Sequence, residues 1–143
     1  MKECKTVVVI DGQGGGLGKA VIEKLKKADL DIYILGIGTN TVATTVMLKA
    51  GADDAVTGEN AILYNVQYAD YVIGGIGVIA ANAMLGEISP AMANAVSSSR
   101  ALKLIIPVNK CNFYVAGIQD NGLSEKIEEV ICKIKIDMSG SSI

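Results

Sequence analysis

The sequence predicts an α/β domain built as a three-layer sandwich, with a mostly parallel sheet and a C-terminal antiparallel edge hairpin. Three observations predict it. Short runs of Val, Ile and Leu alternate along the chain with stretches of helical periodicity, the order that builds parallel sheets through helical crossovers. Half of the 143 residues are hydrophobic but only 4% are aromatic, so the core must be made of Val, Ile, Leu, Ala and Met, as in strands buried on both faces. Glycine-rich turns stand directly after apolar runs, at Gly12–Gly18 and at Gly74–Gly77.

Thr6–Ile10 reads as a buried strand. Gly16–Ala28 reads as a helix with Leu17, Val21, Ile22 and Leu25 on one face and Lys19, Glu23, Lys26 and Lys27 on the other. Asp31–Leu35 is a second strand. The helix Asn40–Ala50 follows, capped by Thr39, Asn40 or Thr41 and stopped by Gly51. Asp54–Thr57 fits a short third strand, Asn60–Tyr68 a short helix, and Asp70–Ile73 a fourth strand. Ala80–Leu85 fits one helical turn or two. Ser89-Pro90, serine at N-cap and proline at N1, starts a helix over Ala91–Ser99. Leu102–Ile106 and Asn112–Ala116 read as two strands, and their short separation predicts an antiparallel hairpin, because a parallel return needs a dozen or more residues. A last helix runs from Ser124 to about Ile134. One domain over residues 1–137 is expected, with a flexible tail at 138–143.

The composition excludes several function classes. A formal net charge of −2 offers no basic field, which argues against nucleic acid and anionic membrane as partners. With no histidine in the chain, Ser-His-Asp and Cys-His mechanisms are ruled out. Cys4, Cys111 and Cys132 form no C-x-x-C pair, so neither a disulfide framework nor a zinc site is expected. Met1–Lys5 lacks a signal-peptide apolar region, and Tyr71–Gly86 is short for a membrane span and broken by glycines. A cytoplasmic location is expected.

The chemistry concentrates in Asp11-Gly12-Gln13-Gly14-Gly15-Gly16-Leu17-Gly18, which follows the first strand and enters the first helix. Backbone N–H groups in such a loop can cradle an anion. A G-x-G-x-x-G fingerprint would need glycine at Leu17 or Lys19, and a Walker A loop ending at Lys19 would need glycine at Gln13 and a hydroxyl at Ala20; all of these fail. G-x-x-x-G-x-G does fit, as Gly12, Gly16 and Gly18. In this respect residues 6–40 resemble the cofactor loop of short-chain dehydrogenases, a likeness that implies NAD or NADP. That family would also carry Tyr-x-x-x-Lys, and none of Tyr33, Tyr64, Tyr68, Tyr71 or Tyr114 has lysine at that spacing. The end of the second strand, Gly36–Asn40, offers no acid for a ribose diol and no arginine for a 2′-phosphate. Thr39 and Asn40 can hydrogen-bond a ribose or phosphate, or simply cap a helix.

Over nearly its full length the chain resembles a family of short bacterial proteins classified as a domain of unknown function. The likeness rests on Val9–Gly16, Leu48–Asp53 with Thr57–Ile62, Ala80–Glu87 and Ile106–Asn112. It implies a Rossmann-like fold and no particular activity.

Other groups carry paired readings. Asp11 either faces a ligand or caps the loop's own amides. Glu59 and Asn60 stand on the carboxyl-end rim of a doubly wound sheet with Gly12, Gly74 and Gly75, or start a helix. From Tyr71 to Ser99 the one charged residue is Glu87, so the segment either lines a pocket beside the glycine loop, forms a homo-oligomer interface through residues 76–99, the favoured reading for part of it, or is an ordinary core helix, with Asn82 and Glu87 as polar groups that must find partners. Lys110 could meet a phosphate and Cys111 act as nucleophile, or both lie in a polar turn. The leading expectation is a homo-oligomeric protein, associating through residues 76–99, that binds a nucleotide or other phosphorylated small molecule at Gly12–Gly18, with Thr39, Asn40, Gly74 and Gly75 nearby. The alternatives are a structural or regulatory homo-oligomer and a small enzyme using Asp11 or Glu59.

Overall fold

A computed structural model describes residues 4–108 and 112–140. Five strands, β1 (Lys5–Asp11), β2 (Ile32–Gly38), β3 (Asp54–Thr57), β4 (Tyr71–Gly75) and β5 (Leu102–Ile106), form one parallel sheet in the order β3-β2-β1-β4-β5. Val9 of β1 sits between Gly36 of β2 and Ile73 of β4. The sheet is flanked by α1 (Gly16–Lys27), α2 (Thr41–Ala50), α3 (Glu59–Asn65), α4 (Pro90–Ser98) and α5 (Leu123–Met138). This is the Rossmann-like three-layer arrangement expected from the alternation of elements.

Strand periodicity splits the core in two. Val7 and Val9 project onto one face, where they meet Val21, Ile22 and Leu25 of α1, Met47 of α2 and Ile127, Val130, Ile131 and Ile134 of α5. Val8 and Ile10 project onto the other, against Ile62 of α3 and Met92, Ala93 and Val96 of α4. Right-handed crossovers explain the division: the chain moves from β1 to β3 in one direction across the sheet and from β3 to β5 in the other, so the two sets of helices fall on opposite faces. The reversal leaves β1 and β4 adjacent, and the loops after them diverge at their carboxyl ends. Such a crevice is where open α/β sheets bind ligands.

Local signals set three of the helix ends. Asn40 caps α2 by accepting from the Ala43 amide at 2.9 Å, and Gly51 ends it with a left-handed φ of 118°. Ser89 accepts from the Met92 amide at 3.2 Å, with Pro90 following at the first helical position. Residues 60–68, expected as one helix, are an α-helix ending at Asn65 and a 3₁₀ turn over Val66–Tyr68.

Two expectations are corrected. Asn112–Ala116 is not a strand: these residues are exposed and unpaired among the described residues, so the edge hairpin is not formed and the sheet is wholly parallel. The reason lies in α5. The phenol of Tyr71, at the start of β4, donates to the Asp137 carboxylate at the end of α5 at 2.6 Å, while Lys126 and Glu129 near the start of α5 share a cavity with Ile76 and Ile105. The helix thus runs antiparallel to the strands, and the chain leaving β5 stays at the carboxyl end, where Val115 and Ile118 line the same cavity, until α5 begins. The turn expected at Asn109–Cys111 lies outside the described residues. Ala80–Leu85 is not helical either. It follows a 3₁₀ turn over Ile76–Ile79 and consists of tight turns, with Asn82, Met84 and Leu85 at φ of 66°, 57° and 56° and Gly86 at 92°. Left-handed backbone at bulky side chains costs about 1–2 kcal/mol per residue, so the fold holds this segment in place at a cost.

Candidate functional site

The site grows from Asp11, the last residue of β1 and buried to 8% relative exposure. Its carboxylate accepts from the Gly12 amide at 2.8 Å and from the Gly18 amide at 2.7 Å. Helix α1 has no side-chain cap at Gly15, which takes a left-handed φ of 77°; Asp11 does that work from inside the sheet. Burial pushes the Asp11 carboxyl above its ordinary value, against the amides of Gly18, Gly12 and Leu17, which favour the anion. The capping reading of Asp11 is the one its geometry matches. A carboxylate turned onto backbone amides is poorly placed to serve as a base for an external substrate.

The loop around it divides into glycines the fold requires and glycines it does not. A Cβ on Gly15 would stand 2.9 Å from the Ala43 backbone, and one on Gly18 would meet the Met47 thioether at 2.6 Å. At Gly12 it would meet Thr39 Oγ1, Met84 Sδ and Glu87 Oε1, all within 2.9 Å. Gly14 and Gly16 differ: neither has a left-handed φ, and nothing lies within 4 Å of where a Cβ would be. Their amides make no hydrogen bond among the described residues.

Both face a cleft of about 370 Å³ lined by Asp11 to Leu17, Gly75, Gly77, Met84 and Val108. The segments after β1 and β4 supply most of it, at the reversal in strand order, and Val108, just after β5, completes it. Gly75 approaches the Leu17 and Val108 side chains, at 3.3 and 3.5 Å from a Cβ built on it, whereas Gly74 faces Val78 and the Ile10 carbonyl, away from the cleft. Lys110 and Cys111 lie outside the described residues.

Thr39 and Asn40 join a second cluster beside the same loop, centred on Glu87. Its Oε1 accepts from the Gln13 amide at 3.0 Å, from the Thr39 hydroxyl in a short hydrogen bond, and from Asn40 Nδ2 at 3.1 Å. Asn40 Nδ2 also donates to the Gln13 carbonyl at 3.0 Å. These donors, Thr39 foremost, hold the Glu87 carboxyl below its ordinary value of 4.5. The stability from this ion is therefore complete above about pH 4.5 and lost as pH falls through the lower folded value. The stability advantage of the wild type over Glu87→Gln should shrink as pH falls from about 6 to about 3, read by urea unfolding at each pH.

Sequence reasoning marked Glu87 as a lone charge needing a partner but could not place it, because the partners stand on loops 47 to 74 residues away. Glu59 is not in the cleft. It accepts a short hydrogen bond from the Ser89 hydroxyl, tying α3 to the cap of α4. Among the described residues no group of three or more His, Cys, Asp or Glu side chains is arranged to hold a metal ion, and no helix is long and apolar enough to cross a membrane. The apolar residues of 76–99 largely fill the second core, through Val78, Ala80, Ala83, Ile88, Met92, Ala93 and Val96, while Ile79 and Leu85 remain exposed at 39% and 102%.

A family model described as domain of unknown function (DUF3842) matches residues 6–139. No curated protein matches the chain. Among solved structures, a universal stress protein in complex with cAMP is similar at 18% identity and a TM-score of 0.44, over 74% of this chain and 98% of that one.

Proposed function

The chain belongs to that family of unknown function, and we propose that it binds a nucleotide or other phosphorylated small molecule in the cleft, with phosphate on the amides of Gly14 and Gly16. The observation that carries this reading is that these two glycines answer no need of the fold. Their backbone is within reach of any residue and no neighbour excludes a side chain, yet their unpaired N–H groups line a cleft at the start of α1. Close approach of an anion to the backbone is what bare glycine permits there.

Gly16→Asp separates ligand binding from folding. Position 16 is the first residue of α1 and open to solvent, where a carboxylate suits the helix dipole. The variant should melt within a few degrees of the wild type but lose the rise in Tm that NAD, NADP or ADP gives the wild type. No rise in the wild type with any of these would reject the reading. A homo-oligomer built on residues 76–99 is the alternative, with the exposed Ile79 and Leu85 as its contacts; sedimentation equilibrium of Leu85→Glu against the wild type tests it.

A further inference from the structure

We propose that Glu87 is the acceptor for the vicinal hydroxyls of a ribose, so that the cleft selects nucleotides with a free 2′-hydroxyl over those phosphorylated there. The inference rests on the cleft being a nucleotide site. In a sheet of this strand order, a nucleotide whose phosphates lie at the start of α1 sets its ribose over the first loop glycine, beside the end of the strand next to β1. That place is Gly12 and the end of β2, and the sequence has no acid between Gly36 and Asn40. Folding brings one there from the turns after β4. Glu87 Oε1 lies 2.9 Å from where a Cβ on Gly12 would stand and is bonded to Thr39 and Asn40, the two residues that follow β2.

The hydrogen bonding is one-sided. Oε1 takes three donors, from Gln13, Thr39 and Asn40, whereas Oε2 accepts no hydrogen bond from the described residues. The carboxylate is therefore clamped by one oxygen and has the other available to a hydroxyl donor. Met84, three residues earlier, lines the cleft, and its sulfur and Glu87 Oε1 stand 2.7 and 2.9 Å from the same point above Gly12, so the carboxylate lies beside the lining of the cleft at its Gly12 end. No Lys or Arg is among the hydrogen-bond partners of Glu87, and a 2′-phosphate would meet an uncompensated negative charge. A hydroxyl would instead meet a charged acceptor, among the stronger hydrogen bonds available to it.

Isothermal titration calorimetry of the full chain with two matched pairs tests this: ADP against 2′-deoxy-ADP, and NAD against NADP. ADP should bind about tenfold or more tightly than 2′-deoxy-ADP, and NAD more tightly than NADP. Glu87→Gln should narrow both ratios toward one. Equal affinity of the wild type for ADP and 2′-deoxy-ADP overturns the role of Glu87 and leaves the nucleotide reading standing. Ratios unchanged in Glu87→Gln overturn the assignment to this residue. No binding of any of the four overturns both the inference and the reading beneath it. The wild-type comparison requires no variant, so a poorly folded Glu87→Gln does not rescue the proposal.

Discussion

Asp11→Ala should cost about 2–5 kcal/mol of stability, measured by urea unfolding at neutral pH. The Asp11 carboxylate is the acceptor for the buried amides of Gly12 and Gly18, and each buried donor left unpaired costs about 1–3 kcal/mol. Alanine supplies no acceptor, and the cavity it leaves is closed on the side of α2, where Met47 packs against Gly18. Asp11→Asn should fall between, because the amide oxygen keeps one of the two bonds while its NH₂ faces the other donor. A carboxylate whose purpose was to meet a ligand would behave differently: its removal would leave stability nearly unchanged and alter binding alone. The pH dependence has the opposite sign to that of Glu87. Burial raises the Asp11 carboxyl above 3.8, so its contribution is largest below that value and declines as pH rises through the folded value.

Gly38→Ala should be destabilising by about 3 kcal/mol, at the upper end of what overpacking costs. A Cβ at the end of β2 would stand 2.5 Å from the Thr44 amide nitrogen and 2.7 Å from the Asn40 carbonyl oxygen. Both are backbone atoms of the first turn of α2, which cannot swing aside as a side chain can. Relief requires the helix start to move, carrying Thr39 and Asn40 away from Glu87 and Gln13. The same variant should therefore also weaken any ligand held by that cluster. Gly14→Ala is the contrast, with nothing within 4 Å of the new methyl group; its stability should lie within about 0.5 kcal/mol of the wild type.

The elements legible in the sequence were those whose signals are local. Short apolar runs located the strands, and a 3.6-residue period located α1 and α5. Asn40, Gly51 and Ser89-Pro90 marked helix ends because a cap is satisfied by a backbone amide or a dihedral angle close by in the chain. Where the same local signals misled, a distant constraint had overruled them. Asn112–Ala116 has the composition of a strand, but the chain stays at the carboxyl end of the sheet, where Val115 and Ile118 share a cavity with Ile76, Ile105 and the start of α5. Ala80–Leu85 has the composition of a helix, yet the tight turns that bring Glu87 onto Gln13 and Thr39 impose left-handed backbone at Asn82, Met84 and Leu85.

The glycine loop shows the same division. By itself the sequence determined that a bare backbone follows β1 and enters α1, because spacing and strand pattern are properties of neighbouring residues. Only the tertiary structure decided which glycines the fold consumes, since Gly12, Gly15 and Gly18 are crowded by Met84, Ala43 and Met47 from other elements while Gly14 and Gly16 are not. It also decided where the charges go. Asp11 turns inward because the amides it satisfies are buried with it, and Glu87 reaches the rim from a segment 74 residues after Gln13. Contacts across such separations depend on the strand order, which emerges only when both faces of the sheet are covered.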